Sequence, residues 1–117
     1  RNKCLRGAKI LLMGVAYKRD IADLRESPAL AIIDAFTQKG SVVSYHDPFI
    51  PTFDCIGQTW HSQNVGTATL KEQDCVVIVT DHTSFDYQAL IRDSVLIFDT
   101  RNATRKHSQG HSNVEIL

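Results

Sequence analysis

Residues 9–28, KILLMGVAYKRDIADLRESP, constrain the fold more than any other part of this chain. An apolar run from Ile10 to Met13 reads as a buried strand and breaks at Gly14. Five charges then fall within eight residues (Lys18, Arg19, Asp20, Asp23 and Arg25). The stretch ends at Ser27-Pro28, where a serine N-cap with proline at the first helical position signals a helix start. Strand, long charged loop and helix, in that order, make a ligand-facing corner of an α/β domain.

The remaining periodicity extends this corner into a sheet. The first strand, residues 9–15, is apolar on both sides, as in a sheet covered on both faces. Ala29, Ile32, Ile33 and Phe36 recur at helical spacing, and Gly40 supplies a C-cap. Residues 42–45 form the second strand, closed by His46-Asp47-Pro48; strand, helix and strand make a parallel βαβ unit with a right-handed crossover. Residues 49–66, with Pro51, Gly57 and Gly66, read as a loop carrying at most one short strand near 59–61. A short helix over 67–73 with Thr67 as its cap is expected next. The third strand is CVVIV at 75–79, purely apolar and therefore central. Ser84 is expected to cap a helix through Phe85, Tyr87, Leu90 and Ile91, and VLIF at 95–98 is the last central strand. Val114 to Leu117 is either an edge strand or a frayed end. The pattern is that of an α/β, Rossmann-like, doubly wound and mostly parallel sheet with helices on both faces.

The 117 residues suffice for one domain, and Lys plus Arg (13) balances Asp plus Glu (13). A neutral chain without a dense basic run argues against a nucleic-acid partner held by bulk attraction. No apolar stretch approaches the roughly 20 residues of a membrane span. The first residues lack the apolar core of a signal peptide, and Cys4, Cys55 and Cys75 form no C-x-x-C pair. A reducing cytoplasm is the expected setting, without disulfides or a zinc site. Arg1 in place of methionine reads as the mark of a piece taken from something longer.

In a parallel sheet all strand carboxyl ends lie along one edge, where ligands bind. The four strands are followed by Tyr17 and Lys18, by His46 and Asp47, by Thr80, Asp81 and His82, and by Asp99, Arg101 and Asn102. Two cations on one edge, Lys18 and Arg101, with an aromatic beside the first, suit a ligand with phosphates and a flat ring. The first strand leads into G-V-A-Y-K, not G-x-G-x-x-G, so a pyrophosphate is not cradled there in the common Rossmann manner.

GVAYKRDIADLRESPAL, followed by VSYHDPFIP, VVIVTDH and FDTRNA, resembles the C-terminal domain of the UDP-glucose/GDP-mannose dehydrogenase family. The wording around His46 and the length of the next insert look most like the branch oxidising UDP-N-acetylglucosamine or a related UDP-N-acetylhexosamine. The resemblance implies a domain that holds the UDP part of a UDP-sugar within a longer, homo-oligomeric enzyme. That enzyme oxidises the sugar's C6 alcohol to a carboxylate with NAD, bound mainly by an N-terminal domain. By position, Tyr17, Lys18 and Arg101 match the family's substrate contacts, and Arg25 matches an arginine reaching NAD. The catalytic cysteine and its helpers precede this domain in the family, so no catalytic residue is expected here and the chain alone is expected to be inactive. A free-standing nucleotide-binding or regulatory module is the alternative, and a protein-interaction domain a third.

Cys75, heading an apolar strand, reads as an inert core thiol. His107 and His111 stand at i, i+4 spacing, but Gly110 between them opposes a helical metal site. Asp47-Pro48 reads as a turn, and Asp20, Asp23 and Glu26 as partners of Arg19 and Arg25. Surface pairs contribute only ~0–1 kcal/mol each, so ligand binding better explains so many charges. Trp60 reads as a partly covered loop anchor.

Overall fold

The computed structural model describes residues 6–16, 19–20, 27–105 and 113–116. Five parallel strands build the main sheet: β1 (Lys9–Met13), β2 (Val42–His46), β5 (Cys75–Ile78), β6 (Ile97–Asp99) and β7 (Val114–Ile116). Their order is β2-β1-β5-β6-β7. Between β2 and β5 in sequence, β3 (Thr52–Cys55) and β4 (Gln58–His61) pair antiparallel as a separate hairpin. The helices are α1 (Ala29–Gln38), α2 (Thr67–Glu72) and α3 (Tyr87–Asp93).

Period-two alternation along the central strands divides the core into two layers. Ile10, Leu12, Cys75 and Val77 face one way and pack with Ala29 and Ile33 of α1 and with Tyr45 and Phe53. Leu11, Met13, Val76, Ile78 and Ile97 face the other way, against Leu70 of α2 and Leu90 and Ile91 of α3. Each face is thus covered, which is why β1 and β5 read as unbroken apolar runs.

Local signals explain most element ends. Ser27 Oγ accepts from Ala29 N at 3.1 Å, ahead of Pro28, whose φ of −68° is already helical. At the other end Gly40 (φ +85°) closes a Schellman motif, with Gly40 N to Thr37 O and Ser41 N to Phe36 O at 3.0 and 3.1 Å. Two expected caps are displaced. Thr67 lies inside α2, behind Gly66, and its hydroxyl donates to Asp93 Oδ2 at 3.0 Å, tying α2 to α3. Asp86, not Ser84, caps α3 by accepting from Ala89 N at 3.1 Å, so Phe85 precedes the helix. The first and third strands end two and one residues before 15 and 79, and the last runs over 97–99 instead of 95–98, because Val95 is exposed at the turn out of α3.

The short strand expected near 59–61 is present as β4, and the hairpin corrects the rest of the reading of residues 49–66 by pairing it with β3. Phe53 and Trp60 are direct cross-strand partners with rings stacked 6.4 Å apart, and Phe53 meets Tyr45 at 4.9 Å in the core. Trp60 Nε1 donates to Cys55 O at 2.9 Å, the anchoring role expected of it. The two-residue turn is Ile56-Gly57 with φ of +54° and +70°. A β-branched residue in the left-handed region is strained, and Asn is the usual occupant. Ile56→Asn should therefore raise stability by about 1 kcal/mol, read as a later urea midpoint with an unchanged slope; no shift would show the turn to be relaxed.

Candidate functional site

Strand order reverses between β1 and β5, so the ligand crevice of such a sheet opens above their carboxyl ends. Four loops meet there, and two buried carboxylates, Asp47 and Asp99, hold them in shape.

Asp47, after β2, is 1% exposed. Its Oδ2 accepts from Val15 N (2.8 Å), Ala16 N (3.0 Å) and His82 Nε2 (3.0 Å), and its Oδ1 from Phe49 N (2.8 Å). Burial by itself would raise this carboxyl; the four donors outweigh it and hold the group below its ordinary value. His82 is wholly buried, and its Nδ1 accepts from Asp20 N at 2.8 Å, which places the ring proton on Nε2, facing Asp47. The chain Asp20–His82–Asp47 therefore ties the loops after β1, β2 and β5 together. Asp47 is a turn residue, as expected from Asp-Pro, yet its larger part is to be the acceptor on which the site's frame closes.

Asp99, at the end of β6, shapes the fourth loop in the same way. Its Oδ1 accepts from Arg101 N and Ala103 N (3.0 and 3.1 Å), and its Oδ2 from Thr104 N and Oγ1 (2.8 and 2.7 Å). Thr100 Oγ1 donates to Ile78 O at 2.7 Å, docking that loop on β5.

The rim carries the charge. Arg19 Nε donates to Asp81 O and Oδ2 at 3.2 Å each, and Nη2 donates to the same Oδ2. Hydrogen bonding to Asp81, with its charge, raises the Arg19 pKa further above its ordinary value. Arg101 Nε lies 3.8 Å from Asp81 Oδ1. Asp20 turns its carboxylate onto Thr83, accepting from N and Oγ1 at 2.8 Å each. Among the described residues Arg19 and Asp20 thus bond to the loop after β5 and not to each other; the other partners expected of them, Asp23, Arg25 and Glu26, lie outside the described residues.

Of the expected ligand contacts, Arg101 stands on this rim with a partly exposed side chain, while Tyr17, Lys18 and Arg25 lie outside the described residues. Ala16 and Arg19, which bracket Tyr17 and Lys18, both belong to the loop after β1. His107, His111 and Cys4 also lie outside the described residues. Cys75 is buried in the sheet, which pushes its thiol up to about 11, as befits an inert core position. Sequence reasoning did not single out Arg19, or see that Asp47, Asp81 and His82 act together. Their common position after strand ends was the available signal.

Residues 11–106 match the UDP-glucose/GDP-mannose dehydrogenase family, UDP binding domain. The chain belongs to this family. As its UDP binding domain it is 31% identical over 110 residues to the UDP-N-acetyl-D-mannosamine dehydrogenase of Methanococcus vannielii, covering 87% of this chain and 24% of that protein. It is 30% identical over 115 residues to the UDP-glucose 6-dehydrogenase of Rhizobium meliloti, covering 87% and 25%. The native structure of the UDP-N-acetyl-mannosamine dehydrogenase from Staphylococcus aureus superposes with a TM-score of 0.68 at 27% identity, over 98% of this chain and 27% of that one. The UDP-binding domain thus spans about a quarter of the length of these relatives. Among the described residues, no helix is long and apolar enough to cross a membrane.

Proposed function

We propose that this chain is the UDP-holding C-terminal domain of a longer NAD-dependent UDP-sugar 6-dehydrogenase, which oxidises the C6 alcohol of the sugar to a carboxylate. The substrate is a UDP-N-acetylhexosamine or UDP-glucose, since relatives bearing both kinds of name align over most of the chain. The observation that carries the reading is the rim: cationic side chains above the reversal point of a parallel sheet, in a chain that matches a UDP binding domain.

Tyr17 and Lys18 are assigned to the uridine and diphosphate, and Arg101 to the diphosphate, where a planar guanidinium grips two oxygens at once. Arg25 is assigned to NAD bound mainly outside this chain. The turn after β1 does not suit a dinucleotide, because the Val15 and Ala16 N–H groups that would face a pyrophosphate are already bonded to Asp47. In the complete enzyme this domain positions the substrate for groups supplied by other parts of the protein; homo-oligomeric assembly and a cytoplasmic setting go with that assignment.

Calorimetric titration of the full-length protein with UDP tests the assignment. Wild type should bind, and Lys18→Ala and Arg101→Ala should each lose a charge-assisted contact of roughly 1.5–3 kcal/mol, a weakening of about 10- to 100-fold, with a matching rise in sugar-nucleotide KM. Unchanged KM in both variants would refute the placement of the diphosphate. Turnover of UDP-sugars with NAD separates the dehydrogenase from a non-catalytic nucleotide-binding module.

A further inference from the structure

On the rim Asp81 stands between two cations, while the carboxylate of Asp20 is engaged by Thr83. Asp81 has a side chain only 12% exposed, against 58% for Arg19. It meets Arg19 through Oδ2 and its own backbone carbonyl, and Arg101 through Oδ1. The residue pairs are 62 and 20 positions apart in sequence, so only the sheet's topology brings them together. Both guanidinium groups are approached from the Nε side. Arg19 keeps Nη1, and Arg101 both Nη groups, outside the bonds to Asp81. Asp81 Oδ1 is shut off from solvent and makes no hydrogen bond among the described residues, with Arg101 Nε facing it at 3.8 Å. Asp81 is one negative charge between two positive ones, and its carboxylate prevents the like charges from driving the side chains apart.

On the reading of the chain as a UDP-holding domain, we propose that Arg19 is a further diphosphate-binding residue and that Asp81 is a positioning residue that orients Arg19 and Arg101 by their Nε edges toward the two phosphates. Arg19 is held from two sides: Asp81 grips its guanidinium, while the next residue, Asp20, is bonded through N to His82 and through its carboxylate to Thr83. Such anchoring removes side-chain freedom before the ligand arrives, so less is lost on binding. A nucleoside diphosphate, with two adjacent anionic groups, fits paired guanidiniums better than a nucleoside or a single carboxylate does.

The test compares UDP with uridine, measured by calorimetric competition on the full-length protein. Arg19→Gln and Asp81→Asn should each weaken UDP by about 10-fold while leaving uridine affinity within about twofold, and Asp81→Glu should recover part of the loss. Arg19→Gln should also flatten the dependence of UDP affinity on salt. Two results overturn the inference while wild type still binds UDP. One is an unchanged or tighter UDP affinity in Asp81→Asn, which would make the carboxylate a competitor of the phosphates. The other is a parallel loss of uridine, which would make its part merely structural. Failure of wild type to bind UDP would instead remove the UDP-holding reading, and this inference with it.

Discussion

Asp47→Asn is expected to lower the unfolding free energy by about 2–6 kcal/mol, since at least two of its buried donors would be left without an acceptor at roughly 1–3 kcal/mol each. The carboxylate is the acceptor for Val15 N, Ala16 N, Phe49 N and His82 Nε2 at 2.8–3.0 Å. An amide offers one oxygen where two are used, and its NH2 would be turned toward donors. A donor left unsatisfied in the interior forfeits its bond to water as well as its bond to protein. Urea unfolding at neutral pH reads the difference; a loss below about 1 kcal/mol would mean that water or relaxation replaces Asp47. By contrast, Asp86→Ala at the exposed start of α3 should cost only about 1 kcal/mol.

The same residue sets an acid limit. Asp47 titrates lower in the fold than its ordinary 3.8, so the folded state binds fewer protons than the unfolded chain as the pH approaches that value. The stability it contributes is fully present above about 4 and drains away as the pH falls through the folded value. The gap between wild type and Asp47→Asn should therefore be constant at neutral pH and narrow below about 4.

Gly14→Ala should be comparably damaging, at about 2–5 kcal/mol, for two separable reasons. Gly14 has φ of +85°, which an L-residue adopts at a cost of roughly 1–2 kcal/mol. An added Cβ would also lie 2.5 Å from Thr80 Cβ and 2.8 Å from Thr80 Oγ1. Thr80 cannot simply turn aside, since its hydroxyl donates to Ala16 O at 2.6 Å across the crevice floor. Overpacking of this kind adds about 1–3 kcal/mol. Gly57→Ala is the control: φ is +70° there with nothing within 4 Å of the new Cβ, so only the conformational part should appear. Equal losses at both positions would show that the contact with Thr80 relaxes freely.

Much of the architecture was legible because burial on both faces leaves a local mark. ILLM of β1 and CVVI are apolar without alternation, as strands between two helical layers must be, and the Ala29–Ile33–Phe36 stripe and Gly40 outline α1. The pairing of β3 with the expected strand near 59–61 escaped notice because the turn is Ile-Gly in place of a favoured Asn-Gly, and the two strands are polar apart from Phe53, Cys55 and Trp60. The cap of α3 was misplaced because Ser84 and Asp86 are both suitable residues, and only the hydrogen bond to Ala89 distinguishes them. At the site, Arg101 was visible as a cation after a strand. Arg19 was one charge among five, with nothing local to mark it.

The sequence by itself determined a parallel α/β sheet, the edge on which its polar loops gather and the family whose motifs those loops carry. These depend on periodicity and on short contiguous words, which are properties of neighbouring residues. Only the tertiary structure decided that Asp47 closes on His82 across 35 positions and that Arg19 and Arg101 share Asp81. A buried carboxylate takes its donors from whichever loops the sheet order brings within about 3 Å, and no local pattern encodes that meeting.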